Sequence, residues 1–225
     1  MMGVDRLLRR CFLYLPKQVT VMKIIYDIMA TKHQEVPIWE QYKFIISSAG
    51  SRYATVAAGL ILGVPAIAYL SGSVAAMFYV HIGLAAFWFG MDFFFRYVLA
   101  PAVAASGPDT AAALIPNLSP RIMVVGESLT VGTIGSGLGL AHRFGYLVTP
   151  PVWVWGALGI AAVMLGIAFG PLHHYQLEML RELDSSAPNG ERVERLNETA
   201  MRWLMGMTGL FLLITLMMVG LRGLI

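Results

Sequence analysis

The chain has 225 residues, 57% of them hydrophobic and 13% charged, with a net charge of +3 and a mean hydropathy of +0.68. Soluble domains run near about 45–50% apolar and about 25% charged, so a water-soluble globular protein is excluded, as are a disordered chain and a basic nucleic-acid-binding surface. The single cysteine, Cys11, allows no intrachain disulfide, and no Cys-x-x-Cys or Cys/His run offers a zinc or iron–sulfur site.

Residues 1–52 read as an N-terminal arm. Lys17, Lys23, Asp27 and Lys32 interrupt every apolar run before it reaches about 18 residues, so the arm is neither a signal peptide nor a clear span. Within it, Asp5 to Tyr14 is a short basic amphipathic stretch suited to lying on the inner leaflet or to docking on a partner subunit. Residues 53–225 read as an all-α polytopic transmembrane bundle of five spans. Residues 53–91 contain no Asp, Glu, Lys or Arg, nearly twice the roughly 20 residues that cross a hydrocarbon core of about 30 Å, so they form a hairpin of two helices broken at Ser71-Gly72-Ser73. The first span is placed at Tyr53 to Leu70, kinked at Pro65, and the second at Val74 to Leu99, closed by Pro101 and Pro108. A third runs from Arg121 to Ala141 after Ser119-Pro120, a fourth from Pro151 to Gly170 and a fifth from Trp203 to Leu221. Between the last two, Leu172 to Arg202 is the one substantial hydrophilic connection, two charged helical stretches joined at Asn189-Gly190.

The positive charges orient this bundle. Eight Lys/Arg lie in residues 1–52, and Arg96, Arg121, Arg181, Arg192, Arg195 and Arg202 fall on the same side, leaving only Arg143 and Arg222 on the other. The excess marks the inside, so the N-terminus is expected inside and the C-terminus outside a cytoplasmic membrane.

Ionisable groups within spans are costly and face the bundle interior, which singles out His81, Asp92, Arg96 and Glu127. Asp92 and Arg96 stand at i, i+4 near the inner end of the second span and can pair. Glu127 lies at similar depth in the third span, so the three are expected as one inner polar cluster, either an ion-pair network that sets helix register or a ligand site. His81 is in the outer half, with Met77 one turn before it and Trp88 two turns after it on nearly the same face. Such a histidine with a thioether neighbour suits haem iron or Cu(I), with Met217 or Met218 as a further ligand. The plainer alternative is a histidine hydrogen-bonded to the next helix among packing methionines. The third span carries Gly126, Gly132, Gly135, Gly137 and Gly139, small residues that let helices approach closely or leave room for a flat ring. His173 and His174 stand roughly 25 Å from His81 at 1.5 Å per residue and share no metal with it.

The run His81-Ile-Gly-Leu-Ala-Ala-Phe-Trp88-Phe-Gly90, followed by Arg96, resembles the first helix of the HemJ-type protoporphyrinogen oxidases and the related CopD-like membrane proteins. His173-His174-Tyr175, then a charged stretch with Glu194-Arg-Leu-Asn197-Glu198 entering the last apolar helix, resembles that family's second signature, and the two together cover residues 75–222. The resemblance implies a four-helix haem-associated core, here with one extra N-terminal span. It implies His81 as a haem b ligand, Trp88, Arg96, Asn197 and Glu198 as further cofactor-binding positions, and oxidation of a porphyrinogen with electrons passed onward in the membrane. His81 and Arg96 are about 22 Å apart along one helix, so a single haem reaches only one of them. The CopD likeness implies copper on His81 and Met77 as a lesser alternative. No lysine follows Lys43, although the family carries them nearby, and this motivates another reading, a non-catalytic accessory subunit within a homo- or hetero-oligomeric membrane complex.

Overall fold

The computed structural model describes residues 36–223. The chain divides into two compact units after Glu40; of the first only Val36–Glu40 is described, and it enters helix α1 (Ile38–Ala49). The stretch Asp5–Tyr14 and Cys11 lie outside the described residues.

Among the described residues there is no strand. Five helices are long and apolar enough to cross a bilayer, at Ser51–Leu70, Val74–Val103, Ala112–Arg143, Val152–Leu183 and Gly190–Leu221, and the chain is a multi-pass helical membrane protein. A span in lipid must satisfy its own backbone, which a helix alone does within one segment.

Gly50, at φ 89°, separates α1 from α2 (Ser51–Leu70). The expected break at Ser71-Gly72-Ser73 is present: Gly72 takes φ 75°, and the Ser73 hydroxyl accepts the Ala76 N–H at 3.2 Å to cap α3 (Val74–Phe94). Pro101 does not end this span. A π turn at Phe95–Leu99 widens the helix, the Ala100 N–H reaches back five residues to the Phe95 carbonyl, and the helix continues as α4 (Ala100–Ala105). The wider turn accommodates a ring that has no N–H and would otherwise strike the carbonyl four residues back.

Helix α5 (Pro108–Arg143) likewise begins well before the expected start at Arg121 and runs through Pro116 and Pro120. Within it the Asn117 side chain donates to the Ala113 carbonyl and the Arg121 guanidinium to the Asn117 carbonyl, while the carbonyls that lose a backbone donor to Pro116 and Pro120 are those of Ala112 and Pro116. The fourth span, α6 (Val152–Ile167), bends instead of ending at Gly170. A second π turn, Ala168–Leu172, holds Gly170 at φ −99°, ψ −107° beside Pro171, and α7 (His173–Leu183) follows. After Asn189, whose side chain accepts the Arg192 N–H at 3.1 Å, α8 (Gly190–Leu221) returns through the bundle. The charged connection is therefore made of the ends of two spanning helices. Arg192 ties them by reaching Glu178 at 3.3 Å and Glu182 at 3.2 Å across the turn.

Successive spans alternate in direction. One end of the bundle, here the arm end, holds Gly50, Gly107 and the Asp184–Asn189 turn; the hairpin end holds Ser71–Ser73 and the Phe144–Pro151 loop. α2, α3 and α5 pack together, and α8 packs along α6 and α7. Trp88, Leu129, Met164, Ala168 and Met207 form the central apolar cluster, which joins both groups. Ile45 of α1 is buried against Met123, Leu177 and Leu180.

The glycines of α5 are filled in by neighbours. A Cβ at Gly132 would stand 2.9 Å from the Ile61 carbonyl oxygen, one at Gly137 2.9 Å from the His81 ring and one at Gly139 2.7 Å from the Met77 methyl. With lipid on one side and protein on the other there is little hydrophobic gain in association, so such close contacts hold the helices. Gly132→Ala should lower the thermal midpoint of the detergent-solubilised protein by the equivalent of about 1–3 kcal/mol, because a backbone carbonyl cannot rotate away. Gly135→Ala, whose added methyl meets open space, should leave that midpoint unchanged or slightly higher.

Candidate functional site

The intramembrane polar groups sort into three places. Near the arm end of α3, Asp92 and Arg96 pair at 3.3 Å, as their spacing predicts, and the sequence reading missed the third member. Thr208 of α8 donates to Asp92 Oδ2 at 2.5 Å and accepts from Arg96 Nη2 at 3.2 Å. Arg96 belongs to the π turn that absorbs Pro101, and its Nε is buried without a partner. Trp88, one turn before Asp92, packs edge-on against Phe211 of α8 with centroids 5.1 Å apart. This corner fastens α3 to α8.

Glu127 does not join that pair. Its Oε1 accepts from His173 Nδ1 at 2.6 Å, with the two side chains only 14% and 8% exposed. The other ring nitrogen of His173 lies 3.1 Å from the Gln41 side-chain oxygen, and the Tyr42 ring stands beside the imidazole with centroids 5.5 Å apart. Burial, reinforced by the Glu127 charge, pushes the Tyr42 pKa above the ordinary range, so its hydroxyl keeps its proton. Gln41 and Tyr42 of α1 thus flank one ionisable pair, Glu127 of α5 with His173 of α7. The expected single cluster of Asp92, Arg96 and Glu127 is two networks, with no hydrogen bond between them among the described residues.

The arrangement around His173 tolerates both charge states of the ring. A protonated imidazole donates from Nδ1 to Glu127 and from Nε2 to the Gln41 oxygen; rotating the Gln41 amide presents its N–H₂ to a neutral ring instead. His173 also sits directly after the π turn at Gly170-Pro171, so both networks adjoin π turns, a feature frequent at functional positions. The Gly170-Pro171 pair, read from sequence only as the end of a span, was a signal that could have pointed there. Gln41 and Tyr42 carried none, because nothing local shows that α1 folds back against α5 and α7.

His81 is the third place. Its Nδ1 is 3.1 Å from the Thr133 carbonyl and 3.0 Å from Ser136 Oγ, while Ser136 gives its own proton to that same carbonyl at 2.8 Å. A carbonyl only accepts, so Nδ1 carries the proton and the neutral ring keeps its lone pair on Nε2. A metal-bound histidine has this pattern, with the far nitrogen donating to a backbone carbonyl. Nε2 is thus the atom through which His81 would hold an iron. The ring edge also fills the space over Gly137, and the Thr133 hydroxyl beside it is buried without a partner. Met77 is 1% exposed, in an apolar cluster with Ala68 and Leu140 and with its methyl against Gly139. Its packing is that of a space-filling side chain. Among the described residues no three His, Cys, Asp or Glu side chains converge as a metal cage. Asn197 and Glu198 are exposed on α8, where Glu198 faces Arg202 at 3.5 Å; the structure brings neither to His81.

Comparison with known protein families, characterised proteins and solved structures finds no match to this chain. The site's chemistry therefore rests on its geometry. Glu127→Leu or His173→Leu alone leaves a buried ionisable partner uncompensated and should destabilise the protein by about 3–5 kcal/mol. The double change should recover much of that loss in thermal or denaturant unfolding in one detergent, whereas simply additive losses would show that the two side chains do not act as a pair.

Proposed function

We propose that this membrane protein carries out proton-coupled redox chemistry of the porphyrin or haem kind, with Glu127 and His173 as its proton-handling pair. The observation that carries this reading is the 2.6 Å contact between a carboxylate and an imidazole in the bundle interior, enclosed by Tyr42 and Gln41. Interior ionisable groups of this kind typify proton relays, and oxidation of a porphyrinogen releases protons along with electrons. His173 accepts a proton at one ring nitrogen, Glu127 compensates the charge gained, and Gln41 follows by turning its amide. On the other half of the bundle His81 would hold haem b through Nε2, with Thr133 and Ser136 fixing the ring; when bound, haem would supply one-electron transfer. The resemblance of the His81–Arg96 run to the HemJ-type enzymes supports the same assignment.

The orientation belongs to this proposal. Among the described residues, Lys43, Arg52, Arg96, Arg121, Arg181, Arg192, Arg195 and Arg202 lie toward the arm end and only Arg143 and Arg222 toward the other, which puts the arm end, with the Glu127–His173 pair, on the inner side of a cytoplasmic membrane. Because Cys11 is the only cysteine, a membrane-impermeant maleimide should label it in inverted vesicles and not in intact cells. The reverse labelling would overturn the orientation.

The functional test is an absorption spectrum of the protein purified in mild detergent, oxidised and then reduced with dithionite, with metal analysis of the same sample. A Soret band that shifts on reduction and is lost in His81→Ala is the expected result, with the pH dependence of the midpoint potential flattened in Glu127→Gln. A colourless, metal-free protein that also fails to bind added protoporphyrin overturns the proposal.

A further inference from the structure

Between α2, α3 and α5, toward the arm end, lies an open groove of about 530 Å³, within the usual range of ligand pockets. Its walls are apolar, formed by Phe87 and Phe94 of α3 and by Leu118 and Val125 of α5 among others, and its floor is opened by Gly90, where an added Cβ would meet nothing within 4 Å. From Phe87 to Phe95 the groove follows α3 and the start of the π turn after it for about 12 Å at 1.5 Å per residue, close to one leaflet of a hydrocarbon core about 30 Å thick. Arg121 is the one charged side chain in the lining. Its guanidinium lies over the Tyr53 ring, 5.6 Å from the centroid, and donates to the Asn117 carbonyl; among the described residues no carboxylate lies within ion-pairing distance of it. Glu127, two turns further along α5, is committed to His173.

A lone cation above a one-leaflet apolar groove is complementary to an amphiphile with an anionic head and a hydrocarbon tail. We infer that this groove binds an anionic phospholipid of the surrounding membrane, its phosphate on Arg121 and an acyl chain between α3 and α5. Arginine is suited to the task, because its planar donors meet phosphate oxygens in pairs and it keeps its charge at any working pH. Phe87 and Phe94 of its lining are about half exposed, which leaves a lateral way in for the acyl chain. The site is independent of the His81 and Glu127 networks and stands whether or not haem binds.

The test uses the full chain in mild detergent with phosphatidylglycerol or phosphatidylcholine added as the probe, and counts retained lipid by native mass spectrometry. Wild type should retain phosphatidylglycerol in preference to phosphatidylcholine. Arg121→Gln should weaken the phosphatidylglycerol adduct about tenfold through loss of the charge-assisted contact. Gly90→Leu, which fills the groove and keeps the charge, should weaken it as well, while Arg202→Ala, on an exposed turn of α8, should not. Thermal midpoints recorded alongside show that each variant is folded. Equal retention of the two lipids, an adduct unchanged in both Arg121→Gln and Gly90→Leu, or preferential retention of an added neutral quinone overturns the inference.

Discussion

A polar atom inside this bundle is costly unless the protein supplies its partner, because lipid supplies none, and among the described residues only Arg96 Nε and Thr133 Oγ1 are buried side-chain atoms without one. That constraint determines how the helices are turned against one another. Asp92 and Arg96 could satisfy each other within α3, yet Thr208 completes the pair and thereby fixes α8 beside α3. Glu127 has no such neighbour on its own helix, and its carboxylate is satisfied only by bringing α7 and α1 against α5. His81 is held by two groups of α5 at once, a carbonyl and a hydroxyl. Three polar contacts thus tie together helices that apolar packing alone would let rotate.

The two π turns belong to the same economy of backbone groups. A proline in mid-span deletes a hydrogen bond, and in lipid no water replaces it. The widened turns at Phe95–Leu99 and Ala168–Leu172 redistribute the carbonyls while keeping the helix continuous. They also displace the side chains that follow from strict helical spacing. Arg96 lies within the first, and His173 immediately follows the second. The residues with the greatest chemical capacity are thus placed by the local irregularities that proline requires.

The small residues of α5 have a related role. Gly132, Gly137 and Gly139 each receive a group from a neighbouring helix, respectively the Ile61 carbonyl and side chain, the His81 ring, and the Met77 and Tyr69 side chains. Gly135 receives nothing, although it belongs to the same stripe. Small size at a given position is therefore informative only in combination with the facing helix. Nearer the arm end of the same three helices, Arg121 and the apolar groove show the complementary case, in which they meet without closing over one another.

The number of spans, their alternation, the hairpin break at Ser71–Ser73 and the turn at Asn189-Gly190 were legible in the sequence, because hydropathy and turn chemistry act over a few neighbouring residues. The Asp92–Arg96 pair was legible for the same reason, being one helical step apart. Helix ends at proline were not. Pro101 read locally as an end, Ser119-Pro120 as a start and Gly170 as an end, whereas the helices run on through the prolines, at two of these places by way of π turns. Nor was the choice of partner for Glu127 legible, since Asp92 and Arg96 share its depth while His173 is 46 residues away along the chain. Depth is set by counting residues along a span. Which face meets which is set by rotation about the helix axis, and only the packing of all the helices together determines it.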